Sequence, residues 1–215
     1  MKDSGKTCAF TGYRPQKLPW GFDESDMRCI DFKRRLRDAI HAMILAGYRH
    51  FISGAALGTD LWGAQFVLEF KRDFPEVTLE MAIPFEAQAE RWNAEHRSLR
   101  SSILQAADQI TTIRRFYTKD CMLERNRYMV QNADAVIAAY DGREGGTQMT
   151  VRLAWRQGIP VILLWPDKGA AGCAQKGVPA SSGHLMSKPL AQAFLDRPIG
   201  AFQGERLWGQ TEVAF

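Results

Sequence analysis

The chain has no long apolar run, so nothing in it approaches the length of a membrane span. Its first residues, Met1-Lys2-Asp3-Ser4-Gly5-Lys6, lack the apolar stretch of a secretory signal. Cysteine is sparse: Cys8, Cys29, Cys121 and Cys173 show no CxxC pair and no Cys/His metal spacing, so they read as reduced thiols of a cytoplasmic protein. The four histidines, His41, His50, His96 and His184, have no ligand spacing either, and no metal site is expected. There is no GxSxG elbow and no Cys/His pairing to support a nucleophile. Charge of one sign is also scarce. A net charge of +4 spread along 215 residues gives no dense basic stripe, which weighs against nucleic acid as the partner without excluding it.

What is present is an ordinary globular composition, 46% hydrophobic, with apolar runs that alternate in period. Short apolar strands are expected over Thr7–Thr11, Arg49–Ser53, Val77–Ile83, Gln109–Ile113, Ala135–Tyr140 and Pro160–Trp165. Between them fall helical patterns over Asp26–Ala46, Gly58–Phe74, the broken stretch Glu86–Arg91 and Ser98–Ala107, then Lys119–Asn132 and Gly146–Gln157. Alternation of this kind predicts an α/β fold with a doubly wound, mostly parallel sheet and helices on both faces. Ligands of such folds sit beyond the carboxyl ends of the strands. Residues 1–166 form the expected Rossmann-like domain. Residues 167–215 read as a partly irregular C-terminal extension, with a short helix expected at Leu190–Leu195.

Two strand-to-helix turns end in the same Gly-Thr step: Ser53-Gly54-Ala55-Ala56-Leu57-Gly58-Thr59-Asp60 and Glu144-Gly145-Gly146-Thr147. Glycine lets the backbone approach a ligand, and the free N–H groups and dipole of a helix start favour an anion. Neither turn is a GxGxxG fingerprint or a Walker A loop. Two further segments add positive charge. Gly12 and Arg14 follow the first strand, and Arg125-Asn126-Arg127 lies near a helix start. The candidate ligand-binding set is therefore Gly12, Arg14, Ser53, Gly54, Gly58, Thr59, Asp60, Arg125, Asn126, Gly145, Gly146 and Thr147. Asp60 can alternatively cap its helix or touch a ribose hydroxyl.

At these residues the chain resembles the YpsA-type proteins, formerly domain of unknown function 1273, of the SLOG superfamily of Rossmann-like domains. The resemblance covers roughly residues 6–166. Other branches of that superfamily include the lonely-guy phosphoribohydrolases and the DNA-processing protein DprA. The resemblance implies a pocket for a nucleotide or nucleotide-derived, ADP-ribose-like ligand. Gly54, Gly58 and Thr59 would line one side, Gly145, Gly146 and Thr147 would hold phosphate on the other, and Arg125 would neutralise charge. The lonely-guy enzymes carry a catalytic Glu three residues beyond the Thr of their glycine motif. Thr150 occupies that place here. Binding in a sensing or regulatory role is thus the leading expectation, with a protein partner and pairing of copies left open and no further cofactor implied. A phosphoribohydrolase-like enzyme is the alternative, and it would need Asp60 or Glu144 as its carboxylate. A single-strand DNA-binding module of the DprA kind is the third reading.

Overall fold

The computed structural model describes residues 5–166 and 211–213. Six parallel strands make the body of one sheet: β1 (Lys6–Gly12), β2 (Tyr48–Ser53), β3 (Thr78–Phe85), β4 (Gln109–Arg114), β5 (Ala135–Ala139) and β6 (Val161–Leu164). The short strand β7 (Thr211–Val213) adds antiparallel to β6, so a piece of the C-terminal extension joins the sheet. The expected helix at Leu190–Leu195 lies outside the described residues.

The strand order is β4-β3-β2-β1-β5-β6-β7. The chain starts in the middle, moves outward through β2, β3 and β4, then returns to lay β5 on the other side of β1. Helices α1 (Met27–Leu45), α2 (Thr59–Phe70) and α3 (Ala94–Ala106) pack in series on one face. Helices α4 (Cys121–Gln131) and α5 (Gly146–Arg156) pair on the opposite face. Crossovers leave β1 and β5 in opposite directions, which opens a crevice between their carboxyl ends.

A sheet covered on both faces needs strands that are apolar throughout. All residues of β5 and β6 are buried, as are Cys8, Ala9, Phe10 and Thr11 of β1. At the β4 edge the pattern relaxes, and Ile110 is half exposed. Gly63 in α2 lets the Phe10 ring press against the helix, where a Cβ would stand 3.1 Å from the ring. Buried Arg35 of α1 donates to the Trp165 carbonyl at 3.0 Å and so ties the helix to the end of β6. Of the four cysteines, Cys8, Cys29 and Cys121 are buried free thiols and Cys173 lies outside the described residues. Burial pushes the Cys29 thiol up to about 11, with Lys33 opposing the shift.

Several boundaries differ from the sequence reading for local reasons. Asp26 is the cap of α1 rather than its first residue; its carboxylate accepts the Arg28 amide at 2.7 Å. Helix α2 stops at Phe70, before the Phe74 expected. Strand β3 runs through Pro84 instead of closing there. Its partner β2 pairs only as far as Met81, so the missing proline N–H costs no bond on that side. The stretch expected as one broken helix or two is a short 3-10 turn at Glu86–Ala89 followed by α3, capped by Asn93.

Candidate functional site

The cleft at the switch point is built from four connections. Gly12 ends β1, and the loop after it carries Tyr13, Arg14, Gln16 and Lys17, the last three in or beside a 3-10 turn begun by Pro15. Facing it are the loop before α2, the second turn of α4 and the start of α5. Together they enclose a cavity of about 330 Å³. Its wall includes Gly12, Arg14, Asp60, Arg125, Asn126, Gly146 and Thr147 of the predicted set. Ser53, Gly54, Gly58, Thr59 and Gly145 do not line it directly, and neither does Glu144.

Those other residues have positions that explain their identities. A Cβ on Gly54 would fall 1.3 Å from Arg125 Nη1, so this glycine seats a guanidinium. A Cβ on Gly12 would meet the Thr59 side chain at 2.3 Å. Gly58 has φ +88° and lies under the Tyr13 carbonyl, a conformation that favours glycine. Ser53 Oγ donates to the Asp60 carbonyl at 2.8 Å and holds the turn together.

The two Gly-Thr turns therefore differ. Both α2 and α5 start at a glycine with no side-chain cap, Gly58 and Gly145. At α2 the carboxylate of Asp60 turns back on the loop: it accepts from the Ala56 amide at 3.4 Å and from Arg125 Nη1 at 3.1 Å. This ion pair is buried on both sides. Burial pushes the Asp60 carboxyl above its usual range, and the Arg125 guanidinium opposes that shift. Helix α2 thus has a resident anion with its own counter-charge. At α5 the first turn carries no acidic residue, Gly146 has open space beside it, and Gly146 and Thr147 face the cavity. Thr150 donates to the Gly146 carbonyl at 2.9 Å, within its own helix.

Lys17, Tyr13, Asp141 and Arg143 are outside the predicted ligand-binding set, yet they frame the α5 turn. Tyr13 Oη donates to Asp141 Oδ1 at 2.5 Å. Arg143 pairs with Asp141 and donates to the Lys17 carbonyl at 2.8 Å. The Lys17 ammonium donates to the Glu144 carbonyl at 3.3 Å and lies against Gly145, where a Cβ would stand 2.8 Å from Nζ. Among the described residues no carboxylate pairs with Lys17 or Arg14, and Arg14 reaches only the Met122 sulfur, at 3.9 Å. Burial tends to raise the Asp141 carboxyl, but hydrogen bonds from Arg143 and Tyr13 outweigh it and the pKa is lowered. The one sequence clue to Lys17 was a second basic residue in the loop that holds Arg14. Nothing local shows its contact with a turn more than a hundred residues away.

Inside the cavity wall two buried polar atoms lack partners among the described residues: Arg125 Nε, and Thr59 Oγ1 just beneath. The wall holds Arg14, Lys17 and Arg125 against the single carboxylate of Asp60. Its polar supply suits an anion; no cluster of metal-ligating side chains occurs among the described residues.

A crevice of this kind, at the reversal of a parallel α/β sheet with a glycine-started helix aimed into it, defines a Rossmann-like domain. The family model for YpsA, described as the YspA SLOG family, matches residues 8–157, and the chain belongs to that family. UPF0398 proteins of Bacillus thuringiensis (strain Al Hakam) and Bacillus cereus (strain AH187) are each 30% identical over 145 residues, covering 66% of this chain and 78% of the relative. Among solved structures, DNA processing protein A from Helicobacter pylori, described with a single-stranded DNA binding mode, superposes with a TM-score of 0.53 at 19% identity, over 75% of this chain and 66% of that one. DprA from Streptococcus pneumoniae gives 0.53 at 14% identity, over 82% and 52%. This chain spans less than two thirds of either DNA-processing protein, and the likeness is one of fold. No helix among the described residues is long and apolar enough to cross a membrane.

Proposed function

We propose that the protein binds a nucleotide or nucleotide-derived phosphorylated ligand at the switch-point cleft, in a sensing or regulatory role. The observation that carries this reading is the start of α5. It is uncapped, free of acidic residues and open to a cavity that also holds Lys17 and Arg14. Backbone N–H groups at such a helix start bind phosphate, and a guanidinium or ammonium nearby supplies charge. Arg125 contributes differently from a free counter-charge. Held by Asp60, it stiffens the floor and offers its Nε to whatever enters.

Hydrolysis of an N-glycoside has less support. Of the lining residues only Asp60 is acidic, and its carboxylate is held by Arg125 and the Ala56 amide. Glu144 points its backbone, not its carboxylate, into the network around Lys17.

A thermal-shift panel of nucleoside mono- and diphosphates and ADP-ribose tests the proposal. At least one phosphorylated compound is expected to raise the melting temperature, while the matching nucleosides do not. If no phosphorylated compound does so, the proposal fails.

A further inference from the structure

A second, larger cavity of about 880 Å³ opens beside the first. The two share Arg14, Gln16 and Met122, so one wall separates and connects them. The larger one lies over the carboxyl ends of β2 and β3, between the loop that carries Phe22 and the turn that leads into α3. Its chemistry is unlike that of the phosphate side. Trp92 is half-buried in its wall, and Phe22 and His96, which also line it, lie against each other with ring centroids 5.9 Å apart.

Gln88 supplies the deciding detail. The residue is 9% exposed and lines this cavity. Its Oε1 accepts from Arg100 Nη2 at 3.4 Å, while its Nε2 has no partner among the described residues. A buried amide donor left unsatisfied is unfavourable, and a ligand that brings an acceptor removes the penalty. A planar ring with acceptor atoms on its edge meets both demands, since it can lie against an aromatic face and accept from the amide.

Resting on the reading of the α5 turn as a phosphate site, we propose that the larger cavity is a nucleobase subsite. Gln88 Nε2 donates to a ring acceptor of the base and Trp92 packs against the ring. The phosphate lies at Gly146 and Thr147, and the sugar crosses the shared wall past Arg14. The ligand class is then a nucleotide recognised at both ends, rather than a sugar phosphate recognised at one.

Isothermal titration of the full chain with ribose 5-phosphate and with AMP, GMP, CMP and UMP separates the two ends. At least one nucleotide is expected to bind ten-fold or more tightly than ribose 5-phosphate. Gln88→Met and Trp92→Ala are each expected to reduce that nucleotide to the ribose 5-phosphate level and to leave ribose 5-phosphate itself unchanged. Arg14→Ala, on the shared wall, weakens both ligands. Circular dichroism melts check that each variant is folded, and Gln88→Met preserves side-chain length should Trp92→Ala unfold. Equal affinity for ribose 5-phosphate and all four nucleotides overturns the base subsite while the phosphate site stands. So does an equal loss for both ligands in Gln88→Met. Absence of binding by every compound, with nucleoside diphosphates and ADP-ribose added to the series, overturns both.

Discussion

Asp60 and Arg125 meet with 7% and 8% of their side chains exposed, joined at 3.1 Å. Removing one member of a buried ion pair strands the other, and the loss is typically about 3–5 kcal/mol. Asp60→Ala is therefore expected to lower unfolding stability by about that amount in urea titration. The double variant Asp60→Ala with Arg125→Met is expected to be more stable than Asp60→Ala alone, because no charge is left buried. Were the two equally unstable, Arg125 would have no dependence on its partner. The same pair shows why glycines are hard to interpret from sequence. Gly54, in a Gly-Thr turn, and Gly12, at the end of the first strand, both look ligand-facing, yet each is also small to admit a side chain of the protein itself, Arg125 and Thr59. A missing Cβ is the same signal in both cases. Arg125 likewise carries the charge expected of a phosphate ligand, and only its distance to Asp60, 65 residues away, reveals the pairing.

At the scale of elements, strands read clearly where burial is complete. The continuous apolar runs of β5 and β6 leave no other assignment, while β3 hid its last residues behind Pro84, whose tolerance depends on where β2 ends. Tertiary polar networks were invisible for the same reason. Glu80 of β3 is 2% exposed and accepts from Tyr128 of α4 at 2.7 Å, with His50 Nε2 of β2 at 2.9 Å. Burial alone would raise its carboxyl, but hydrogen bonds from His50, Thr111 and Tyr128 prevail and lower it from the usual 4.5. The folded state then binds fewer protons than the unfolded one in the acid range. The stability Glu80 carries is present above the unfolded value and lost as pH falls through the folded one. Glu80→Gln should thus flatten the acid limb of stability measured from about pH 3 to 7, while lowering the plateau. An unchanged acid slope would mean that Glu80 titrates normally. Asp60, shifted upward by burial, works in the opposite sense: its contribution is full in acid and declines as pH rises through its raised value.

Across the whole molecule, order should grade from the switch point to the edge. Strand β1 is paired on both sides, whereas β4 has only β3 beside it among the described residues. In hydrogen exchange, the amides of Cys8–Phe10 are expected to open only with global unfolding. The outward amides of β4 should exchange faster by roughly a thousandfold or more. Equal protection would show that something covers β4 in solution. The doubly wound topology itself was legible in the alternation of periods. Handedness rules favour that arrangement, whereas the strand order and the long-range contacts that shape the cleft came only with the fold.

The bridge from Tyr13 to Asp141 and from Arg143 to the Lys17 carbonyl spans the mouth between the β1 and β5 loops. Both loops are already fastened before anything arrives. An incoming molecule forfeits little chain freedom on that side, so its affinity is spent on recognition instead of closure. A rigid rim also makes a poor relay. If occupancy is communicated onward, the moving part has to be sought beyond that rim; the Glu86–Asn93 turn has a clasp of its own, with Arg97 donating to the Trp92 carbonyl at 2.6 Å.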